Sequence, residues 1–381
     1  MKEQVPDAPE GQSGGQPLIA SPQALYRKLA DHVIDQRTAL EQISVTLYKH
    51  VRGLKIGNIM LIGNSGTGKT TIMRAIEKVF AEDPALSKFV NTIRLNANVV
   101  ADETSSALET NVVLERLKQN ALKILGKNVT ESGFTQLMEH GVVFLDEVDK
   151  IRSHVGERTN SRGIIAQEAL LTLIEGESVT MPLRVRDEKG EWHEGEVPIQ
   201  TGRILFICGG AFEGLYDMVY RRVASGEHRD KLIQEFVVTE DQKDLSEKEH
   251  FSLQQYVRYE DLFEYGMTPQ FLGRFDEIIV LNDLTIQGLI RIFVEPPDAL
   301  YREARKYFRS LGIELQVTKE ALARLAEHAH NNHRLGARAL RMVFKRVLRG
   351  LEFDPEGSYM VEKNEDKKVL RITKDMITRF S

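Results

Sequence analysis

The sequence predicts an α/β fold in which a parallel sheet with crossover helices is followed by a smaller α-rich domain. Two observations carry that prediction. Short apolar runs rich in β-branched residues, Asn58 to Ile62, Val142 to Leu145, Ile204 to Ile207 and Glu277 to Leu281, are separated by helical segments. Strands joined through helices in this way pair in parallel and are covered on both faces. Beyond Leu284 the pattern turns mainly helical, with one strand expected at Ile313 to Val317. The 381 residues leave room for two or three domains. The expected division is a disordered tail over residues 1–21, a large α/β domain over 22–283 and a small α-rich domain over 284–381.

Taken in order, the tail holds Pro6, Pro9 and Pro17 with Gly11, Gly14 and Gly15 and offers almost nothing apolar to bury. Order is expected from Ser21-Pro22, an N-cap followed by proline at the first helical position. Leu25, Leu29 and Val33 then recur at helical spacing, and a second helix from near Asp35 carries Ala39, Ile43 and Leu47 on one face. The run ending at Ile62 gives way to glycine and then to a helical stretch from Lys69; the run ending at Leu145 meets acids at once. Pro296-Pro297 is expected to end or interrupt the first C-terminal helix.

Composition narrows the class. With 51 Lys and Arg against 56 Asp and Glu, the net charge of −5 argues against retention on nucleic acid by bulk charge. No stretch approaches the roughly 18 apolar residues of a membrane-spanning helix, and Met1 to Ser21 has no apolar core of a secretory signal. One cysteine, Cys208, can form neither an intramolecular disulfide nor a cysteine zinc cluster. A cytoplasmic globular protein is expected.

Two motifs carry chemistry. Gly63-Asn64-Ser65-Gly66-Thr67-Gly68-Lys69-Thr70-Thr71 fits G-x-x-x-x-G-K-[ST] between a strand and a helix. Its glycines let backbone N–H groups turn inward around phosphates, and the helix N-terminus adds partial positive charge. Lys69 would reach the β- and γ-phosphates of ATP, and the Thr70 hydroxyl would ligate Mg2+. The second motif, Val142 to Lys150, delivers Asp146 to the carboxyl end of a buried strand, where open α/β sheets bind ligands. There Asp146 can hold the hydration shell of Mg2+, and Glu147 can take a proton from, or orient, the attacking water. Together they define a nucleoside triphosphatase core.

With Asp31 to Gln36, the phosphate loop, Leu145 to Ile151, Gln167 to Gly176, Ile204 to Phe212, Pro269 to Arg274 and Gly336 to Arg341 in this order, the chain resembles the AAA+ ATPases of the Clp/Hsp100 class, above all the ClpX unfoldase core. The likeness runs from Leu29 nearly to the C-terminus. It implies that Val33 and Ile34 pack on adenine and that Arg274 is an arginine finger reaching the γ-phosphate of a neighbouring subunit. It further implies that Arg338 is projected from the small domain onto the phosphates of its own subunit, and that the protein forms a homo-hexameric ring. A supplied arginine is worth about 10³–10⁵ in rate.

Departures from the family shape the functional expectation. The family's zinc-binding N-terminal domain needs four cysteines, so adaptor recognition through that domain is not expected. The family's pore loop carries an aromatic flanked by small residues; here Thr104-Ser105-Ser106-Ala107 stands at that place and offers only hydroxyls and a methyl. Gly133-Phe134 offers a substitute aromatic only as the lesser reading, because Phe134 is expected in the core. The peptidase-docking tripeptide of isoleucine-glycine-phenylalanine type is missing from Ala224 to Tyr256, where Thr239 to Glu249 is a polar run, so a peptidase partner is not expected. Leu183 to His193 replaces a basic pore segment and reads as a β-hairpin around Lys189-Gly190 bearing Trp192. His328, His330 and His333 read as surface polarity rather than a metal site, and Lys345, Arg346 and Arg349 as a solvated or inter-subunit face.

The leading expectation is a ring-forming ATPase that remodels or unfolds a protein, without a peptidase. An ATP-controlled assembly switch is the alternative, and a nucleic-acid-associated ATPase is disfavoured by the charge.

Overall fold

The computed structural model describes residues 19, 21–54, 57–101, 110–186, 192–225, 233–238, 245–250, 253–332, 335–355, 361–364 and 367–379. Five strands, β1 (Asn58–Ile62), β2 (Thr92–Asn96), β3 (Val142–Asp146), β4 (Leu205–Gly210) and β5 (Phe275–Val280), form one sheet in the order β5-β1-β4-β3-β2. Every pairing in it is parallel, so all five carboxyl ends lie along one edge. Four of these strands are the apolar runs expected from sequence. β2 is the addition: its Thr-Ile-Arg-Leu-Asn alternates polar and apolar as a sheet-edge strand does, and so lacks the continuous apolar signature of a central strand.

Alternation in the central strands sorts their side chains onto two cores. Met60, Ile62, Val143, Leu145, Phe206 and Cys208 join one cluster, whereas Ile59, Leu61, Val142, Phe144, Leu205 and Ile207 join the other. The second face is covered by α1 (Pro22–Ala30), α2 (Arg37–Val51) and α3 (Lys69–Glu82). Helix α1 begins where the sequence places it, with the Ser21 hydroxyl accepting from Ala24 N at 3.2 Å and Pro22 in the first turn. Helix α2 buries Ala39, Leu40, Ile43, Leu47 and Val51.

A third apolar cluster, running from Leu284 to Ile377, is separate from both. Helix Ile286–Val294 stops just before Pro296-Pro297, and the long helix Ala337–Phe353 packs Leu340, Phe344, Val347 and Leu351 inward. The expected strand Ile313–Val317 is present and pairs in parallel with Lys367–Ile372, itself antiparallel to Val361–Asn364. The latter two are rich in lysine and were not expected as strands.

Phe134 is fully buried in helix Glu131–Glu139, so it is core and no substitute for a pore aromatic. Within the stretch read as polar, Leu245–His250 pairs antiparallel with Ile233–Val238. The hairpin is present as Ser178–Arg186 against Trp192–Gln200; its turn and the Trp192 side chain lie outside the described residues. So do Thr104 to Ala107, His333 and the tail through Leu18. Lys345, Arg346 and Arg349 lie on the exposed side of their helix. No helix among the described residues is long and apolar enough to cross a membrane.

The face of the sheet covered by α1 to α3 contains a buried histidine, His50 of α2, with a measurable consequence. His50 lies edge-on to Phe89, with ring centroids 5.2 Å apart, and Phe89 meets His140 in turn at 5.3 Å. Burial holds His50 neutral, lowering its pKa from 6.5 to about 4, against a weaker opposing hydrogen bond to the His140 carbonyl. The unfolded chain therefore binds a proton there before the folded chain does. The stability this neutral ring contributes is complete above pH 6.5 and is lost as pH falls toward 4, by on the order of a few kcal/mol. Thermal unfolding should show Tm dropping across that window, with a flatter slope in His50→Asn. An unchanged slope in that variant would assign the acid sensitivity elsewhere.

Candidate active site

The phosphate loop Gly63–Thr71 joins β1 to α3 at the carboxyl edge of the sheet. It is held from within: Lys69 Nζ donates to the Gly63 carbonyl and, at 3.0 Å, to that of Asn64, while the buried Thr67 hydroxyl donates to Asn64 O at 2.9 Å. Ser65 and Thr70 are half-buried, and Thr71 is exposed. Thr70 stands in the first turn of α3, beside the free N–H groups that give a helix start its positive end.

Gly66 is where a second element meets the loop. Its φ is +79°, and a Cβ there would stand 2.4 Å from the Leu335 carbonyl and 3.0 Å from Ala337 N. Gly336, at φ +48° and ψ −131°, answers from the other side, its Cβ position 3.1 Å from Ser65 O. Only glycine fits either place. The helix Ala337–Phe353 thus begins against the phosphate loop, with Ala337 N 3.5 Å from Gly66 O, and carries exposed Arg338 in its first turn.

The electrostatics suit an anion. The Lys69 ammonium is held below its ordinary pKa, first by burial and further by the neighbouring Arg338 charge, while Asp146 and Asp149 oppose that shift. Two cations and a helix start converge here, and a bound polyphosphate would relieve their mutual repulsion.

On β3, separated from β1 by β4, Asp146 Oδ1 accepts from Glu147 N at 2.9 Å. Glu147 occupies the left-handed region, φ 60°, which turns its exposed side chain back over the strand ends. Its Oε2 accepts from Asn96 Nδ2 at 2.6 Å, and Asn96 faces Asp146 in the β2–β3 register. Asn96 is a site residue that the sequence reading did not single out; its one signal is the place at the carboxyl end of a strand. Buried Asp149 is occupied structurally, accepting from Ala211 N at 3.2 Å. A Cβ on Gly209 would lie 3.7 Å from Lys69 Cδ and 3.8 Å from Asp146 Oδ1, so the glycine keeps open the floor between lysine and acid. A hydroxyl, a carboxylate and phosphate oxygens form a hard oxygen donor set that fits Mg2+.

Two implied contacts fall outside this cluster. Val33 is buried in the same core as Leu29, under α1 to α3, leaving half-buried Ile34 as the more accessible of the adenine candidates. Arg274 precedes β5 at the amino end of the sheet, where Phe275 pairs with Asn58, about 13 Å of strand from the loop after Ile62. It pairs there with Glu175. The arginine therefore faces away from its own phosphate loop.

Residues 54–278 match the AAA domain (Cdc48 subfamily). The chain is 32% identical over 358 residues to the ATP-dependent Clp protease ATP-binding subunit ClpX 3 of Methylococcus capsulatus, spanning 88% of this chain and 77% of the relative. It is 29% identical over 379 residues to the ClpX subunit of Treponema denticola, spanning 95% and 82%, and 30% identical over 363 residues to that of Azotobacter vinelandii, spanning 89% and 75%. A parallel sheet bearing a phosphate loop and this domain match make the chain an AAA+ ATPase, an enzyme that binds and hydrolyses ATP. Within that class it belongs to the ClpX family.

Proposed function

We propose that this chain is a ring-forming, ClpX-like ATPase that couples ATP hydrolysis to remodelling or unfolding a protein, without a peptidase. Residues 22–283 form the nucleotide-binding domain and 284–381 the lid. The observation that supports the reading is the seat of the Leu335–Arg338 turn on Gly66; in this reading the lid's position follows what the phosphate loop holds.

In this reading Asn64 through Thr71 bind the phosphates of ATP, Val33 and Ile34 flank adenine, and Thr70 with Asp146 holds Mg2+. Mg2+ held there would supply charge neutralisation to the phosphates. Glu147 accepts the proton of the attacking water, Arg338 contacts the phosphates from the lid of the same subunit, and Arg274 reaches the γ-phosphate of the adjacent one. An arginine serving the next subunit requires a head-to-tail closed ring, for which a homo-hexamer is the proposed form. The relatives are by name subunits of a protease. The missing docking tripeptide between Ala224 and Tyr256 supports a chain that acts without one. The hydroxyl-bearing segment Thr104 to Ala107 favours a second reading, an assembly switch whose nucleotide state sets partner affinity without threading a polypeptide.

ATPase rate against protein concentration, with and without a permanently unfolded protein and with Glu147→Gln as blank, tests both. The remodelling reading expects a per-subunit rate that rises with concentration and rises again with the unfolded chain. A rate that rises with concentration but ignores the unfolded chain would move the assignment to the switch. A rate independent of concentration would remove the ring.

A further inference from the structure

The turn between α1 and α2 does more than connect two helices. Asp35 and Gln36 both occupy the left-handed region, at φ 62° and 57°, a conformation that costs a side-chain-bearing residue energy and persists only where contacts hold it. The Gln36 side chain is buried, and all its hydrogen-bonding capacity facing the protein is spent on two segments far apart in sequence. Its Nε2 donates at 3.0 Å to the carbonyl of Thr67, inside the phosphate loop, and at 2.7 Å to the carbonyl of Asn282. Its Oε1 accepts from Asn282 N at 3.1 Å.

Asn282 opens the short linker from β5 to the helix Ile286–Val294. Asp35 grips the far end of the same linker: its Oδ2 accepts from Thr285 N at 3.1 Å and from the Thr285 hydroxyl at 3.0 Å. Thr285 is the N-cap of that helix, its hydroxyl accepting from Gly288 N at 2.9 Å. The fit leaves no slack, since a Cβ on Gly288 would stand 1.8 Å from Asp35 Oδ2. Asn64 of the phosphate loop adds a third tie, donating to Asp283 at 3.2 Å, and His330 adds a fourth from the C-terminal segment, its Nδ1 3.0 Å from Leu284 O.

The geometry points to Asp35 and Gln36 as positioning residues that couple the phosphate loop to the hinge of the C-terminal segment. Gln36 is a bracket: one amide joins the loop carbonyl two residues before Lys69 to the backbone of the linker. The linker cannot rotate against an occupied loop without breaking one of those bonds or carrying Gln36 with it. Asp35 then fixes the first turn of the next helix to the same bracket. A reshaped phosphate loop thereby sets the direction in which the C-terminal helices leave the sheet. This inference rests on the proposed nucleotide-dependent lid.

The test uses the full chain with nitroxides at Lys78→Cys and Glu327→Cys, both exposed, against native Cys208, which is buried and does not compete for label. Interspin distances are measured with and without a non-hydrolysable ATP analogue, alongside ATP affinity and turnover. Gln36→Glu keeps size and the acceptor but loses both donors. The expected result is a nucleotide-dependent distance shift in the parent that is lost or halved in Gln36→Glu, with ATP affinity within about threefold and turnover down about tenfold, the scale of one or two hydrogen bonds. Asp35→Ala, at a half-buried site, gives a second route if Gln36→Glu fails to fold, and Asp35→Asn, which keeps an acceptor for Thr285 N, should restore most of the shift. A parent shift reproduced in full by Gln36→Glu, or by Asp35→Ala, would overturn the coupling and leave the moving lid intact. A parent with no shift would overturn the lid reading and the coupling with it.

Discussion

Arg274→Ala is expected to lower ATP turnover by about 10³–10⁵ while ATP still binds. Every strand is parallel, so the phosphate loop and Glu147 share the carboxyl edge while Arg274 sits at the amino end of β5, too far down the strand to serve its own site. Its partner there is Glu175, with both side chains close to half exposed. An exposed ion pair of this kind contributes little, so the guanidinium can leave it for the spread charge of a transferring phosphoryl group. A decisive check mixes two inactive variants. If Arg274 acts on the neighbour, rings assembled from equal parts of Arg274→Ala and Glu147→Gln contain sites with glutamate from one variant and arginine from the other. Activity should return to roughly a quarter of the parent rate in a random head-to-tail ring. No recovery on mixing, or full turnover by Arg274→Ala alone, would end the trans assignment.

What the sequence disclosed and what it hid follow from one distinction. Central strands such as β3 are continuous apolar runs because both faces are covered, and the phosphate loop is legible because its glycines, lysine and threonine act within nine consecutive residues. β2 escaped because a sheet-edge strand alternates, and Val361–Asn364 with Lys367–Ile372 because charged residues interrupt any apolar run in them. In the site, Lys69, Thr70, Asp146 and Glu147 were readable from local spacing. Asn96 and Gln36 were not: the first meets Glu147 across 51 positions, the second Asn282 across 246. Those contacts exist only once the sheet is ordered β5-β1-β4-β3-β2, and no local pattern states that order.

Glu147→Gln is the second large effect: ATP affinity should hold while turnover falls by about 10²–10⁴, the range a positioned general base supplies. The substitution keeps shape and the acceptor oxygen facing Asn96 but replaces the carboxylate with a neutral amide too weakly basic to take a proton from water. The backbone makes this a clean variant. Glu147 is held at φ 60° by its own N–H bond to Asp146 and by the turn into Val148, neither of which involves the carboxylate. Its carboxylate is exposed apart from the 2.6 Å bond from Asn96, so the amide creates no buried unpaired group and stability should be unchanged. Rapid-mixing measurement of phosphate release beside equilibrium binding of a fluorescent ATP analogue separates the two quantities. A variant that loses affinity and turnover together would place Glu147 in ground-state binding; one that keeps turnover would require another base. Asn96→Ala sharpens the reading, because it frees the carboxylate without removing it. A turnover change there with unchanged ATP affinity would mean that Asn96 sets where the base points, making the strand end beside Asp146 part of the catalytic geometry.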